Sequence, residues 1–510
     1  MSKSIAIVGA GPGGLAAAMI LASSGYDVQV FEKRDTVGGR NSAIEIEGYT
    51  FDMGPTFLSM PHILEEIFQR ANRNLHDYMN LVELDTMYEL IFPDLTVQMT
   101  RNPDKMKEII EEKFPGNSAG YDRFMNETRK KMDALSPILQ NKMDSFMDFF
   151  TLKMIKAIPQ LSLTKSLYEV LSDYFSDERL KLAFTFQSKY LGMSPWECPG
   201  AFSILSFMEH EYGIFHPIGG LNQISKAMAR VVEEYGGKVH LNSGVQKLWQ
   251  NGKQIKGVIL EDGTKHAFDD VVINADFAHA MNTLVDPTTI KKYHPTKLDK
   301  KKYSISTFMM YLGVNTTFDL PHHTIIFSDD YKENVEQITK DMVIPSNPSI
   351  YIQNAVVTDP TLAPEGKSSL YVLAPVPNNF SLVDWEQHKE AFREAILDLL
   401  EKKTSIQNIR EHIEIEKMIT PLDWEQDVHV YKGATFNLGH QLSQMMLFRP
   451  HNQFEELENC WLVGGGTHPG SGLPTILESA RITTNLLMQK DKSISVSKPK
   501  QNAESVGNPL

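Results

Sequence analysis

Glycines at positions 9, 11 and 14, an acid at Glu32 and a Gly38-Gly39-Arg40 turn stand in register near the start of the chain. Residue types at this spacing suit the grip of a dinucleotide diphosphate. Gly9 permits a tight turn, Gly11 lets the backbone approach the phosphates, and Gly14 lets a helix and a strand pack closely. Free N–H groups at the helix start would then meet the negative charge. Glu32, with Lys33 beside it, is placed to accept hydrogen bonds from both ribose hydroxyls, and an acid there disfavours a ribose phosphate. Gly38 and Gly39 offer further close amides, while the Arg40 guanidinium can pair with the diphosphate or fix a neighbouring loop. A Gly-Gly-Arg turn beyond the acid is commoner in flavoproteins than in nicotinamide enzymes. With Gly54-Pro55 following in Phe51-Asp52-Met53-Gly54-Pro55, the set reads as a site for FAD.

The elements that must position these residues are legible nearby. Ile5 to Val8 reads as a buried parallel strand, Leu15 to Ser24 as a helix, and Val28 to Phe31 as the second strand, ending at Glu32. The uncharged run from Ser4 to Tyr26 is explained by this strand, turn and helix and is interrupted by glycines and Pro12. It is therefore not read as a signal peptide or a membrane span, and a cytoplasmic protein is expected. A second stretch returns to the same sheet. Gly219-Gly220 precedes a helix from Leu221 to Tyr235, which Gly236-Gly237 ends; Lys238 to Leu241, a ribbon turning at Asp262-Gly263, and Val271 to Ile273 follow, closing in Asn274-Ala275-Asp276. In that layout the backbone at Val245 could read an adenine edge, or Val245 could be an ordinary core valine. A third return comes at Cys460 to Val463, before Gly464-Gly465-Gly466, the turn through Gly472 and Pro474, and a helix from Ile476 to Met488. Gly465, Gly466, Gly472 and Pro474 would bring backbone against a flavin ring, with the positive helix end near the pyrimidine oxygen.

The expected architecture is α/β: a Rossmann-type FAD-binding domain, discontinuous over residues 1–75, 213–285 and 455–489. Between its pieces lie a helical region at 76–212, read as substrate- or membrane-associating, and an α+β substrate domain at 286–454. Residues 490–510, rich in Ser, Lys and Asn, read as a disordered tail. A net charge of −14 speaks against a nucleic-acid partner. Two cysteines give neither a disulfide framework nor a metal cluster, and no spacing suggests a metal. From Thr151 to Ser166 the charged residues are Lys153, Lys156 and Lys165, and Met143, Phe146, Met147, Phe150, Met154 and Ile158 recur at helical spacing. Such a helix either lies in a membrane interface or faces the core with its lysines solvated.

The motifs GAGPGGL, FEKRDTVGGR, FDMGPT, GVILEDGTKHAFDDVVINAD and GGGTHPGSGLP together resemble the bacterial-type carotenoid desaturases over residues 4 to about 489. The first motif is shared with amine oxidases and protoporphyrinogen oxidases. The THPGSGLP turn, Phe327-Ser328-Asp329-Asp330 and Leu362 to Lys367 are similar to the branch acting on thirty-carbon substrates. Terminal-methyl oxidases of that branch tend to read FDLGPS and NPGGGMP, where this chain has Met53, Thr56, His468 and Leu473. Rab dissociation inhibitors share the architecture but not the flavin. The resemblance implies hydride loss from an allylic carbon to FAD and proton loss from its neighbour, repeated along an acyclic isoprenoid. It also implies an apolar tunnel, for which Phe184 to Phe186, Phe202 to Met208 and Phe308 to Leu312 are the candidate walls. Moving about thirty carbons out of water is worth on the order of 20 kcal/mol at about 0.8 per CH₂, so the substrate must come from a bilayer. This favours peripheral contact with the cytoplasmic face of the membrane. The acid–base group stays open, with His216 and His468 as candidates.

Overall fold

The computed structural model describes residues 2–151, 154, 157–162 and 164–497. Its first sheet is parallel and assembled from remote pieces of chain in the order Lys238–His240, Asp27–Phe31, Ser4–Val8, Asp270–Ile273, Cys460–Leu462. Both faces of such a sheet are covered, so its strands are apolar throughout. The uncharged helix Pro12–Ser23 explains itself in the same way: ten of its twelve residues are buried, between the last helix, Leu473–Ser497, and the helix Asn222–Glu234. An antiparallel ribbon of Val245–Asn251, Gln254–Leu260 and Lys265–Ala267 leads back into the sheet.

The second sheet is mixed and seven-stranded. Its order is Ile413–Ile419, Ser306–Val314, Ser368–Val376, Ile350–Asn354, His323–Ile326, Thr86–Ile91, Thr96–Thr100. The stretch 76–212 is thus not helical throughout, because the last two strands belong to a sheet whose other five come from 306–419. Alternation sorts the strand Ser306–Val314, second from one edge. Phe308, Met310 and Leu312 pack with Trp385 and Phe392 of the helix Trp385–Lys403, while Met309 and Tyr311 join Phe51 and Met53 on the opposite face.

Two further expectations change. The Met and Phe residues from 143 onward do not share one helical face: Met143 and Met154 are buried, whereas Phe146, Met147 and Phe150 are 69%, 71% and 72% exposed on a short 3-10 turn, Phe146–Phe150. Of the three lysines, Lys153 and Lys156 lie outside the described residues, and Lys165 pairs with Asp173 at 2.5 Å. At the other end the last helix runs to Ser497, so residues 490–497 are helical and the expected tail keeps only 498–510, outside the described residues. Among the described residues no helix is long and apolar enough to cross a membrane.

The helix end is tied down by its own chemistry. Asp491 accepts hydrogen bonds from Lys3 Nζ (2.6 Å) and Tyr26 Oη (2.9 Å). Lys3 also pairs with the fully buried Asp270 at 2.5 Å, and Asp270 accepts from Trp461 Nε1 at 2.8 Å. Replacing Asp491 with Ala removes an ion pair with Lys3 and a charge-assisted hydrogen bond from Tyr26 that join the helix to the sheet. It should destabilise the protein by roughly 1–3 kcal/mol, read as a lower midpoint of thermal unfolding; an unchanged midpoint would show that the tie contributes nothing.

Candidate active site

The glycine loop is built around a side chain from another part of the sequence. Asn274, at the end of the strand Asp270–Ile273, donates from Nδ2 to the Gly9 carbonyl (3.1 Å). A Cβ on Gly11 would lie 2.9 Å from that nitrogen, and one on Gly14 would lie 2.4 Å from the Gly9 oxygen. Gly9 itself has φ +94°, open to glycine without strain. The helix then starts at Pro12 with Gly11 as its N-cap and no side chain capping it, which leaves first-turn N–H groups for an anion. Glu32 accepts from the Ala10 N–H (2.8 Å) and from the Arg34 N–H (2.9 Å). It therefore holds the loop, and each oxygen keeps a further lone pair for a ribose hydroxyl.

Arg40 fixes a loop: its Nη1 donates to the Thr435 carbonyl at 2.6 Å. Its Nη2 donates to the Asn437 amide oxygen (2.8 Å), whose nitrogen donates to Asp276 (2.9 Å). Burial pushes the Arg40 pKa down and the Asp276 pKa up, each partly offset by the charge of the other. The carboxy-terminal glycine turn rests on Arg449, fully buried, whose guanidinium donates to the carbonyls of Gly465 (2.6 Å) and Thr467 (3.1 Å). Burial lowers its pKa to about 10, which leaves it cationic at neutral pH. His440 is also buried. It accepts the Ser471 N–H at Nε2 (3.1 Å), which places its own proton on Nδ1, an atom with no partner among the described residues. A cradle that Cβ atoms would fill, an uncapped helix start and an orphaned N–H beside the turn all fit a dinucleotide with a hydrogen-bonding ring.

One cavity of about 1050 Å³ joins these features to the apolar interior. Gly9, Gly11, Glu32, Lys33, Gly38, Gly39, Arg40, Gly54, Pro55, Val245, Gly465, Gly472 and Pro474 all line it. Gly14 and Gly466 stand behind the wall and serve packing; a Cβ on Gly466 would lie 2.5 Å from Cβ of Phe277. His216 and His468 do not line it either. His216 is buried against Asp359 (Nε2 to Oδ2, 3.1 Å), and His468 is bonded to the Asn141 carbonyl (2.9 Å), with burial lowering its pKa to about 4. Both are structural histidines. In the apolar half Phe186, Phe202, Ile204, Leu205, Met208 and Met309 face the cavity, whereas Phe184, Phe308, Met310, Tyr311 and Leu312 do not. Asn274, Asp276, Thr435, His440 and Arg449 are the residues that sequence reading passed over, although Asn274 and Asp276 close a strand it did find.

Replacing Glu32 with Ala should weaken flavin retention at least tenfold, since charge-assisted bonds are worth about 1.5–3 kcal/mol each. Asn274→Ala should do the same by releasing Gly9, and Gly11→Val should yield soluble protein without flavin. Flavin absorbance against protein concentration reads all three. Full occupancy in Glu32→Ala would remove the acid from the site.

The model of the flavin containing amine oxidoreductase family matches residues 12–488. A 4,4'-diapophytoene desaturase (4,4'-diapolycopene-forming) from Methylomonas sp. is 50% identical over 491 residues, 96% of each chain. A zeta-carotene-forming phytoene desaturase from Myxococcus xanthus is 36% identical, over 95% of this chain and 94% of the relative. Among solved structures, an oxidoreductase from Methanosarcina mazei aligns with a TM-score of 0.63 at 17% identity, covering 95% of this chain and all of that one. This last likeness concerns the fold alone. The chain belongs to the flavin-containing amine oxidoreductases and, within them, to the carotenoid desaturases.

Proposed function

We propose that the chain is an FAD-dependent desaturase that introduces conjugated double bonds into an acyclic thirty-carbon carotenoid precursor, diapophytoene. The observation that carries this is the single cavity whose glycine-lined end continues into an apolar tunnel. A polyene precursor has no polar handle, so shape and length of apolar wall are the means of recognition. When bound, FAD supplies the hydride acceptor. The chain's own residues do the rest. Aromatic and aliphatic side chains would orient the polyene and exclude water, and the cationic Arg449, buried beneath the glycine turn, would hold that turn in place through the Gly465 and Thr467 carbonyls.

Substrate this apolar partitions into bilayers, and the exposed Phe146, Met147 and Phe150 support a peripheral membrane contact. Their turn follows the end of the long helix Ser118–Leu139, where Leu139 and Gln140 line the cavity. Apolar side chains dipping into the acyl boundary beside that rim would let substrate pass from lipid to tunnel without crossing water.

Co-expression with a diapophytoene-producing pathway should shift the pigment to the red, with mass falling by one hydrogen pair per step and no oxygen gained. An oxygenated product instead would assign a terminal oxidase. Replacing Phe146, Met147 and Phe150 by Ser should reduce co-sedimentation with liposomes at least roughly tenfold, since each apolar side chain is worth about 1.5–3 kcal/mol when fully buried. Flavin content should hold. Unchanged partitioning would leave the turn without a membrane role.

A further inference from the structure

Each desaturation removes two hydrogens. One C–H electron pair leaves with its hydrogen as hydride to the oxidised flavin. The neighbouring C–H pair becomes the new C=C bond, and its proton needs an acceptor inside an apolar cavity. On the proposed desaturase reading, we propose that Tyr351 and His323 are that acceptor: the substrate proton passes to the Tyr351 oxygen as the Tyr351 proton passes to His323 Nδ1.

The placement favours this pair. Tyr351 lines the cavity where its glycine-lined and apolar halves meet. Its hydroxyl is 2.6 Å from Thr56 Oγ1, next in sequence to Gly54-Pro55. Its ring is 5.7 Å from that of Tyr371, which donates to the Gly54 carbonyl (2.9 Å). Behind it, His323 is 1% exposed, with Nδ1 2.7 Å from the Tyr351 hydroxyl and Nε2 without a partner. The groups facing His323 are Phe57 (ring centroids 5.6 Å apart), Tyr351 and His322 (4.4 Å), and His216 stands beyond His322 (4.8 Å); no carboxylate bonds to it. Burial holds the His323 pKa down at about 3, so the ring is neutral, yet a delocalised polyene cation is a far stronger acid than its imidazolium. Burial also pushes the Tyr351 hydroxyl up, so the tyrosine relays a proton and does not stand as a phenolate. Beyond His323, the His322 ring is bonded through Nδ1 to the half-buried Thr358 hydroxyl (2.8 Å), and among the described residues no hydrogen bond joins the two rings.

Among the other titratable groups of the wall, Glu66 and Glu478 pair with Arg481, whereas His62, His279 and His429 also face the cavity, away from the Thr56 and Gly54 segment that Tyr351 and Tyr371 touch. Glu32 holds the loop, Asp276 accepts from Asn437, and His440 has its lone pair taken by Ser471. The competing acceptor is Tyr190, a wall tyrosine beside the buried Glu209, which accepts from Tyr88 (3.0 Å) and Gln187 (2.9 Å).

The test uses holoenzyme in diapophytoene-loaded liposomes without oxygen, following flavin bleaching. Substrates carry deuterium either at the carbon that yields hydride or at its neighbour. Tyr351→Phe and His323→Gln, which keeps an acceptor for the hydroxyl but no base, should each bleach roughly 100-fold more slowly. In both, isotope sensitivity should move to the neighbouring carbon. A merely structural role would slow bleaching without moving the isotope effect, and that result overturns the proposal, as does its appearance in Tyr190→Phe or Glu209→Gln instead. A readout independent of turnover is the ¹⁵N spectrum of ring-labelled histidine in flavin-free protein: Tyr351→Phe should shift His323 Nδ1, and an unshifted nitrogen overturns the pairing. Failure of the wild type to bleach would instead overturn the desaturase reading itself, whatever the nitrogen shows.

Discussion

The site depends on how closely the backbone at four glycines of one loop approaches Asn274. Cβ atoms built on Gly11, Gly13 and Gly14 would each fall within 3.0 Å of its side chain, and one on Gly9 would lie 2.6 Å from its carbonyl oxygen. No side chain larger than hydrogen fits at these positions, and this is why a strand from the middle of the chain can close on a loop from its start. The close approach leaves the start of the helix at Pro12 without a side-chain cap. Everything that grips a diphosphate follows from that contact.

The second sheet carries a different responsibility. Its tyrosines reach across to the segment after the Gly-Gly-Arg turn: Tyr311 donates to the Met53 carbonyl (2.6 Å) and Tyr371 to the Gly54 carbonyl. Gln353 donates to Asp52 Oδ2 (3.1 Å), while Asp52 Oδ1 accepts the Leu221 N–H (2.7 Å). Buried bonds of this sort are worth about 1 kcal/mol each, and their larger effect is geometric. They set where the cofactor end of the cavity stops and the apolar wall begins.

How much was legible in the sequence follows from how local each signal is. The glycine loop, Glu32 and the two returns to the sheet are short, contiguous patterns whose physics is complete within a few residues, and they were readable. Asn274 was visible as the end of a strand, but its contact with Gly9 spans 265 positions, so its role was not. The tunnel walls were half readable: period-2 alternation in Phe308 to Leu312 says that two faces exist but not which one meets the cavity. The histidines were misleading for a related reason. His216 precedes a proline and His468 sits in the glycine turn, yet both are spent on buried polar partners. Tyr351 and His323 carry no local mark, since a tyrosine and a histidine in apolar strands look like ordinary core. The exposed Phe146–Phe150 turn lay within a stripe of which Met143 and Met154 turn inward.

The parallel sheet is completed by the strand Cys460–Leu462, pairing with Asp270–Ile273, while its central strand begins at Ser4. During synthesis the ribosome therefore delivers the central strand long before the strand that completes the sheet. Until residue 462 has emerged, Asp270–Ile273 has an open edge, and the Arg449-supported turn that walls one end of the cavity does not exist. Pairings of such long range close slowly and expose apolar surface meanwhile. Cofactor loading is accordingly a late event, and the nascent chain spends most of its synthesis with an unfinished apolar interior in need of shelter from its neighbours.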